Sequence, residues 1–190
     1  MSAPRAIVIG ASAGGVTVLR DLLPRLPATL DATVLVVMHV PPDRPSLLGE
    51  IFRRVCAVRV VEAEDKAPAE PGTIVFAPPD YHLMVDAGPS LALSVDEPVQ
   101  WSRPAIDVLF ETAADVYGPA LTGIVLTGAS HDGAAGLASV AKAGGRTIVQ
   151  QPRGAESPTM PTAALAAVPN AEVMDVPALA ALFATGLPAV

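Results

Sequence analysis

Ser12 lies in Gly10-Ala11-Ser12-Ala13-Gly14, after the apolar run Ala6–Ile9 and before a helical pattern. A strand-to-helix turn of small residues lets a serine hydroxyl project at a sheet edge. The N–H groups of the following helix start can stabilise an oxyanion. Two roles fit Ser12, a nucleophile or a helix cap. His39 closes the apolar stretch Ala32–Val40 and precedes Pro41-Pro42. Ligand crevices of open α/β sheets lie at such strand exits, and an imidazole there can act as a base near neutral pH. Alone, a strand-end histidine is more often structural; beside a turn serine it becomes a candidate general base. Asp132 occupies a second glycine-rich turn, in "VLTGASHDGAAG", where it can orient an imidazole, cap a helix, or do both. Asp80 and Asp43 also follow strand-like runs and are weaker candidates for that carboxylate. A serine, a histidine and a carboxylate at neighbouring strand ends would perform acyl transfer.

A glycine-rich turn can instead cradle a dinucleotide. That site requires G-x-G-x-x-G or a further glycine near position 16, where Val16 stands. It also requires an acidic residue ending the second strand, which here ends in Met38-His39-Val40. No tyrosine–lysine pair at helical spacing follows, because Tyr117 leads into Gly118-Pro119. No cofactor is expected. His82 and His131 are too scattered, with too few other ligands, to suggest a metal site.

The elements that must position these residues alternate between apolar strands and amphipathic helices, the pattern of a doubly wound, mostly parallel α/β sheet. The first strand is expected over about 5–10 and the first helix over about 14–23, stopped by Pro24 and Pro27. The run "ATVLVVMHV" reads as a central buried strand. A second helix over Pro45–Val55 would turn Leu47, Leu48, Ile51, Phe52 and Val55 inward. "AVRVVEA" and "GTIVFAPPD" read as strands, and "HLMVDAGPSLALSV" as an antiparallel hairpin turning at Ala87-Gly88-Pro89. A helix in "RPAIDVLFETAADVYG" places Ile106, Leu109, Phe110, Ala113 and Tyr117 on one face. "LTGIVLTGASHDGAAGLASVAKAGG" repeats the opening plan of strand, glycine turn and helix. "RTIVQ" is one more strand, and a last helix starts at Val176.

The polar stretch Glu62–Gly72 is a surface loop, so residues 1–190 are expected to form one domain. With 51% hydrophobic and 16% charged residues the chain should bury a core rather than remain disordered. A net charge of −7 and 4% aromatic residues argue against a nucleic-acid partner. The apolar runs are too short for membrane insertion, and a cytoplasmic protein is expected. The single cysteine, Cys56, excludes an internal disulfide and reads as core packing.

Six blocks, "IGASAGG", "VVMHVPP", "PGTIVFAPPDYHLMV", "RPAIDVLFETAA", "LTGASHDGAAGL" and "GGRTIVQ…SPTMP", occur in the order seen in CheB-type chemotaxis methylesterases. They reach from near the N-terminus to about residue 165. The resemblance implies hydrolysis of glutamyl methyl esters on methyl-accepting chemotaxis receptors, with deamidation of receptor glutamines as a second activity. It implies Ser12 as nucleophile, His39 as general base and Asp132 as its orienting carboxylate. The backbone N–H groups of Ala129 and Ala13 would be the oxyanion donors. The chain order Ser-His-Asp differs from the Ser-Asp-His order of α/β-hydrolases. Many family members have threonine at position 13, glutamine at 38, methionine at 129 and asparagine at 131, where this chain has Ala13, Met38, Ala129 and His131. A backbone donor survives the change at 129; substrate fit need not. The resemblance covers a catalytic domain without the family's receiver domain, so control in cis by phosphorylation is not expected. Either this is an excised or stand-alone catalytic domain, or control comes from a separate regulatory protein. Two alternatives are a non-catalytic binding module of the same fold and a serine esterase acting on a different ester.

Overall fold

The computed structural model describes residues 5–41 and 45–188. Seven strands form one parallel sheet: β1 (Ala6–Ala11), β2 (Thr33–Met38), β3 (Arg59–Glu62), β4 (Thr73–Phe76), β7 (Leu121–Val125), β8 (Arg146–Gln150) and β9 (Glu172–Met174). Their spatial order is β3-β4-β2-β1-β7-β8-β9. A separate antiparallel hairpin joins β5 (His82–Asp86) to β6 (Ser90–Ser94). The helices are α1 (Gly15–Leu22), α2 (Leu48–Arg53), α3 (Ile106–Tyr117), α4 (Ala134–Lys142), α5 (Thr159–Ala167) and α6 (Val176–Ala184).

Strands β1, β2 and β7 are buried along their whole length, which is why they read as mostly apolar, with Thr33 and Thr122 the buried exceptions. Their side chains alternate between two cores. Ile7, Ile9, Val34 and Val36 pack with Leu19, Phe52 and Phe183 on one face of the sheet. Val8, Leu35 and Val37 pack with Leu109, Phe110 and Leu137 on the other. Strand order runs outward from β1 in one direction through β2 and in the other through β7. The crevice beyond the carboxyl ends of β1 and β7 is therefore the switch point of the sheet, where such folds bind ligands.

The expected doubly wound frame, the hairpin and the inward face of α3 are all observed. The second helix is a correction. It is only Leu48–Arg53, with Leu48 and Phe52 buried, whereas Leu47, Ile51 and Val55 are exposed. So short a helix lies on the edge of the sheet and covers it with one stripe only. Helix α5 and edge strand β9 have no counterpart among the sequence-based expectations. Cys56 follows α2, half-buried against the core, and burial pushes its thiol up to about 11.

Candidate active site

Strand register places the candidate residues. In β1 and β2, Ala11 is opposite Met38, so Ser12 and His39 leave adjacent strands at the same level. Backbone bonds from His39 N–H to the Ala11 carbonyl (3.0 Å) and from Ser12 N–H to the Thr127 carbonyl (3.0 Å) extend the ladder past the strand ends. Ser12 and His39 line one open cleft of about 500 Å³, with Gly14, Val16, Met38 and Glu156. The Ser12 side chain caps no helix: the N-cap of α1 is Gly14, at φ 78, without a side-chain bond. Only a residue without Cβ takes that conformation freely, and a Cβ there would also lie 2.7 Å from Glu156 Cβ.

His39 Nε2 donates to Asp132 Oδ2 at 2.8 Å, with the histidine side chain 13% exposed and the aspartate side chain fully buried. The carboxylate accepts at both oxygens. Asp132 Oδ2 also accepts the N–H of Ile106 (2.6 Å), and Oδ1 accepts that of Asp107 (2.9 Å). These are the first two residues of α3, so Asp132 caps a helix distant in sequence rather than its own α4. The positive end of α3 faces this negative charge.

Asp107 returns the arrangement. Its Oδ1 accepts the N–H groups of Gly133 (2.9 Å) and Gly136 (2.7 Å), at the start of α4. Helices α3 and α4 thus exchange caps, and the exchange fixes where Asp132 points. Burial pushes the Asp107 carboxyl up from 3.8 to about 6, the charges of Asp132 and Glu111 add to it, and the Gly136 and Gly133 bonds oppose it. A carboxyl whose folded pKa exceeds its unfolded value binds its proton more tightly when folded. The proton's contribution to stability is absent above about pH 6, grows as pH falls and is complete below 3.8. Asp107→Asn keeps the acceptor oxygen but does not titrate. Denaturant unfolding of both proteins should show the native chain gaining stability relative to the variant from pH 7 to pH 4. A constant difference across that range would contradict this role for Asp107.

The turn that carries Asp132 is tied to the Ser12 turn through Thr127, which is fully buried. Its hydroxyl lies 2.9 Å from the Ala13 carbonyl and 3.2 Å from that of Ser157, and accepts the Ser157 N–H at 2.9 Å. The Gln150 side chain accepts the Thr127 N–H at 2.8 Å. Gly128 is needed by packing, since a Cβ there would come 1.9 Å from Met160 Sδ and 2.9 Å from Ser12 Cβ. Neither the Ala13 nor the Ala129 N–H meets a backbone acceptor among the described residues, and both residues are exposed.

The structure therefore closes the His39–Asp132 pair and brings Ser12 into the same cleft. Asp80 is not the partner of His39; its carboxylate binds Arg103 at 2.6 and 3.0 Å. Asp43 lies outside the described residues. His82 is buried, with Nε2 donating to the Glu97 carbonyl (3.2 Å) and Nδ1 accepting the Ala105 N–H (3.2 Å). His131 is exposed beside Pro158 and Thr159. Among the described residues no group of three or more His, Cys, Asp or Glu could hold a metal ion. No helix among them is long and apolar enough to cross a membrane. Asp107, Thr127 and Glu156 were missed from sequence. Asp107 alone carried a signal, an acidic residue in the first turn of a predicted helix that proved buried.

Residues 7–183 match the CheB methylesterase family. The chain belongs to that family. It is accordingly a carboxylic ester hydrolase by descent. A Leptospira interrogans relative is 39% identical over 178 residues, covering 94% of this chain and 92% of the relative. A protein-glutamate methylesterase/protein-glutamine glutaminase of Symbiobacterium thermophilum is 43% identical over 146 residues, covering 77% of this chain but 40% of that protein. The crystal structure of the Thermotoga maritima CheB methylesterase catalytic domain superposes with a TM-score of 0.91 at 28% identity. It covers 97% of this CheB-family chain and 99% of the Thermotoga chain.

Proposed function

We propose that residues 1–190 form one catalytic domain that removes methyl groups from glutamyl methyl esters of chemotaxis receptors, with Ser12 as nucleophile. The bond between His39 Nε2 and Asp132 carries this reading, because it leaves Nδ1 of the same ring as the available base. His39 Nδ1 takes the Ser12 proton as Oγ attacks the γ-carbonyl. The resulting oxyanion is held by the N–H groups of Ala13 and Ala129. Collapse expels methanol, protonated by His39, and leaves an acyl-enzyme. A water, deprotonated by His39, releases the glutamate carboxylate and regenerates Ser12. The buried Asp132 charge holds the ring in the Nε2–H tautomer and stabilises the imidazolium formed in each step. Attack on a glutamine side chain in the same pose would expel ammonia, so deamidation uses the same groups. The relatives' names and the open cleft, which admits a side chain presented on a protein, support a protein substrate.

Methanol release from a methylated receptor cytoplasmic fragment, with the unmethylated fragment as control, tests this function. Methanol from the methylated fragment alone is expected. No methanol, but covalent capture of Ser12 by a phosphonate, would mean a serine esterase with another substrate. Neither would mean a binding module.

A further inference from the structure

The segment 95–105 between the hairpin and α3 is fastened along its length. Arg103 donates to Asp80 Oδ1 from Nε (3.0 Å) and Nη2 (2.6 Å), and from Nη1 to the carbonyls of Val95 (2.9 Å) and Asp96 (3.0 Å). His82 holds the Glu97 carbonyl. At its tip, Val99 and Ser102 exchange two backbone bonds of 3.1 and 2.9 Å around Gln100-Trp101. Both central residues are left-handed, Gln100 at φ 50 and Trp101 at φ 64. Such a turn suits Asn-Gly and is unfavourable for two residues that carry a Cβ. The turn nevertheless holds the chain's only tryptophan 100% exposed.

That tip borders the site. Trp101, Asp80, Arg103 and Pro104 enclose with His39 a cavity of about 150 Å³, and His39 also lines the Ser12 cleft. His39 thus lines both the nucleophile's cleft and the cavity beside the tryptophan. Tyr81 and Val95 are exposed hydrophobics next in sequence to the two anchor points Asp80 and Asp96. Local strain on a rigid, anchored turn, used to hold a large aromatic in water at the rim of a reaction cleft, marks a contact made with something that enters that cleft. A segment that presents an ester to Ser12 and extends across both cavities passes His39 and meets the indole.

We propose that Trp101 is a docking residue for the protein segment that carries the methyl ester, packing on an apolar side chain next to the scissile group. This inference rests on the reaction proposed above. Because the segment's backbone is already ordered, the contact has only the indole left to fix. Trp101 touches the segment away from the reacting atoms, so it acts by positioning rather than by chemistry.

Trp101 is its own reporter. Titrating the Ser12→Ala protein with a tryptophan-free methylated receptor fragment should shift its emission to shorter wavelength, saturably. In the otherwise native protein, Trp101→Ala should lower kcat/KM for the fragment roughly tenfold, the loss falling on KM, and Trp101→Phe should recover most of it. Emission that stays fixed throughout the titration overturns the proposal, as does a loss that falls on kcat. An emission shift in Ser12→Ala together with no methanol release by the native protein keeps the docking role and overturns the reaction instead.

Discussion

Ser12→Ala should lower methanol release from the methylated receptor fragment by roughly 10⁴-fold or more while the protein remains folded. The expected size follows from removing the only nucleophile: what remains is water attack aided by the oxyanion donors and by binding. The expected folding follows from the structure, because the Ser12 side chain caps no helix and lines an open cleft. Its loss should change stability by no more than about 0.5 kcal/mol, as for other substitutions away from a buried network. The N–H of Ser12, which holds the turn to Thr127, is retained in alanine. Circular dichroism and denaturant midpoint establish the fold, and a coupled methanol assay measures the rate. Turnover within tenfold of native by a folded variant would remove Ser12 from the reaction.

Asp132→Asn should lose roughly 10³–10⁴-fold in activity and, unlike Ser12→Ala, should also lose stability. The reason is a count of donors. The carboxylate accepts three hydrogen bonds, from His39 Nε2, Ile106 N–H and Asp107 N–H, and at both of its oxygens. An asparagine amide must turn its NH₂ toward at least one of them. If it faces Asp107 N–H, two buried donors oppose each other. If it faces His39 and Ile106, the ring loses its acceptor and adopts the tautomer with the proton on the nitrogen meant for Ser12. Leaving a buried donor unsatisfied costs about 1–3 kcal/mol. A variant with native stability and native rate would mean that Asp132 neither orients His39 nor caps α3.

The parallel frame was legible because the buried central strands are predominantly apolar and glycine turns follow β1 and β7 before their helices. The positions of Ser12 and His39, each directly after a buried strand, and of Asp132 in the glycine turn between β7 and α4, were legible for the same reason. Asp132 was open to two readings, cap and orienting carboxylate, and its contacts include both kinds: it caps the distant α3 and holds His39. That cap exchange could not be read locally, because each carboxylate serves a helix about 25 residues away in the chain. Helix α5 escaped because "TMPTAALAA" offers small residues and a proline rather than an apolar stripe. Strand β9, with three residues at the sheet edge, is too short to show a period. In the second helix the apolar pattern was real, but an edge helix of one and a half turns has only one face to bury.

The central claim is that Ser12 is a nucleophile activated by His39. Its most direct measurement is incubation with a fluorophosphonate followed by peptide mass mapping, in the native protein and in His39→Ala. A single adduct on Ser12 in the native protein, forming far more slowly in His39→Ala, is the expected result. No adduct, or one on another residue at equal rate in both proteins, would contradict it.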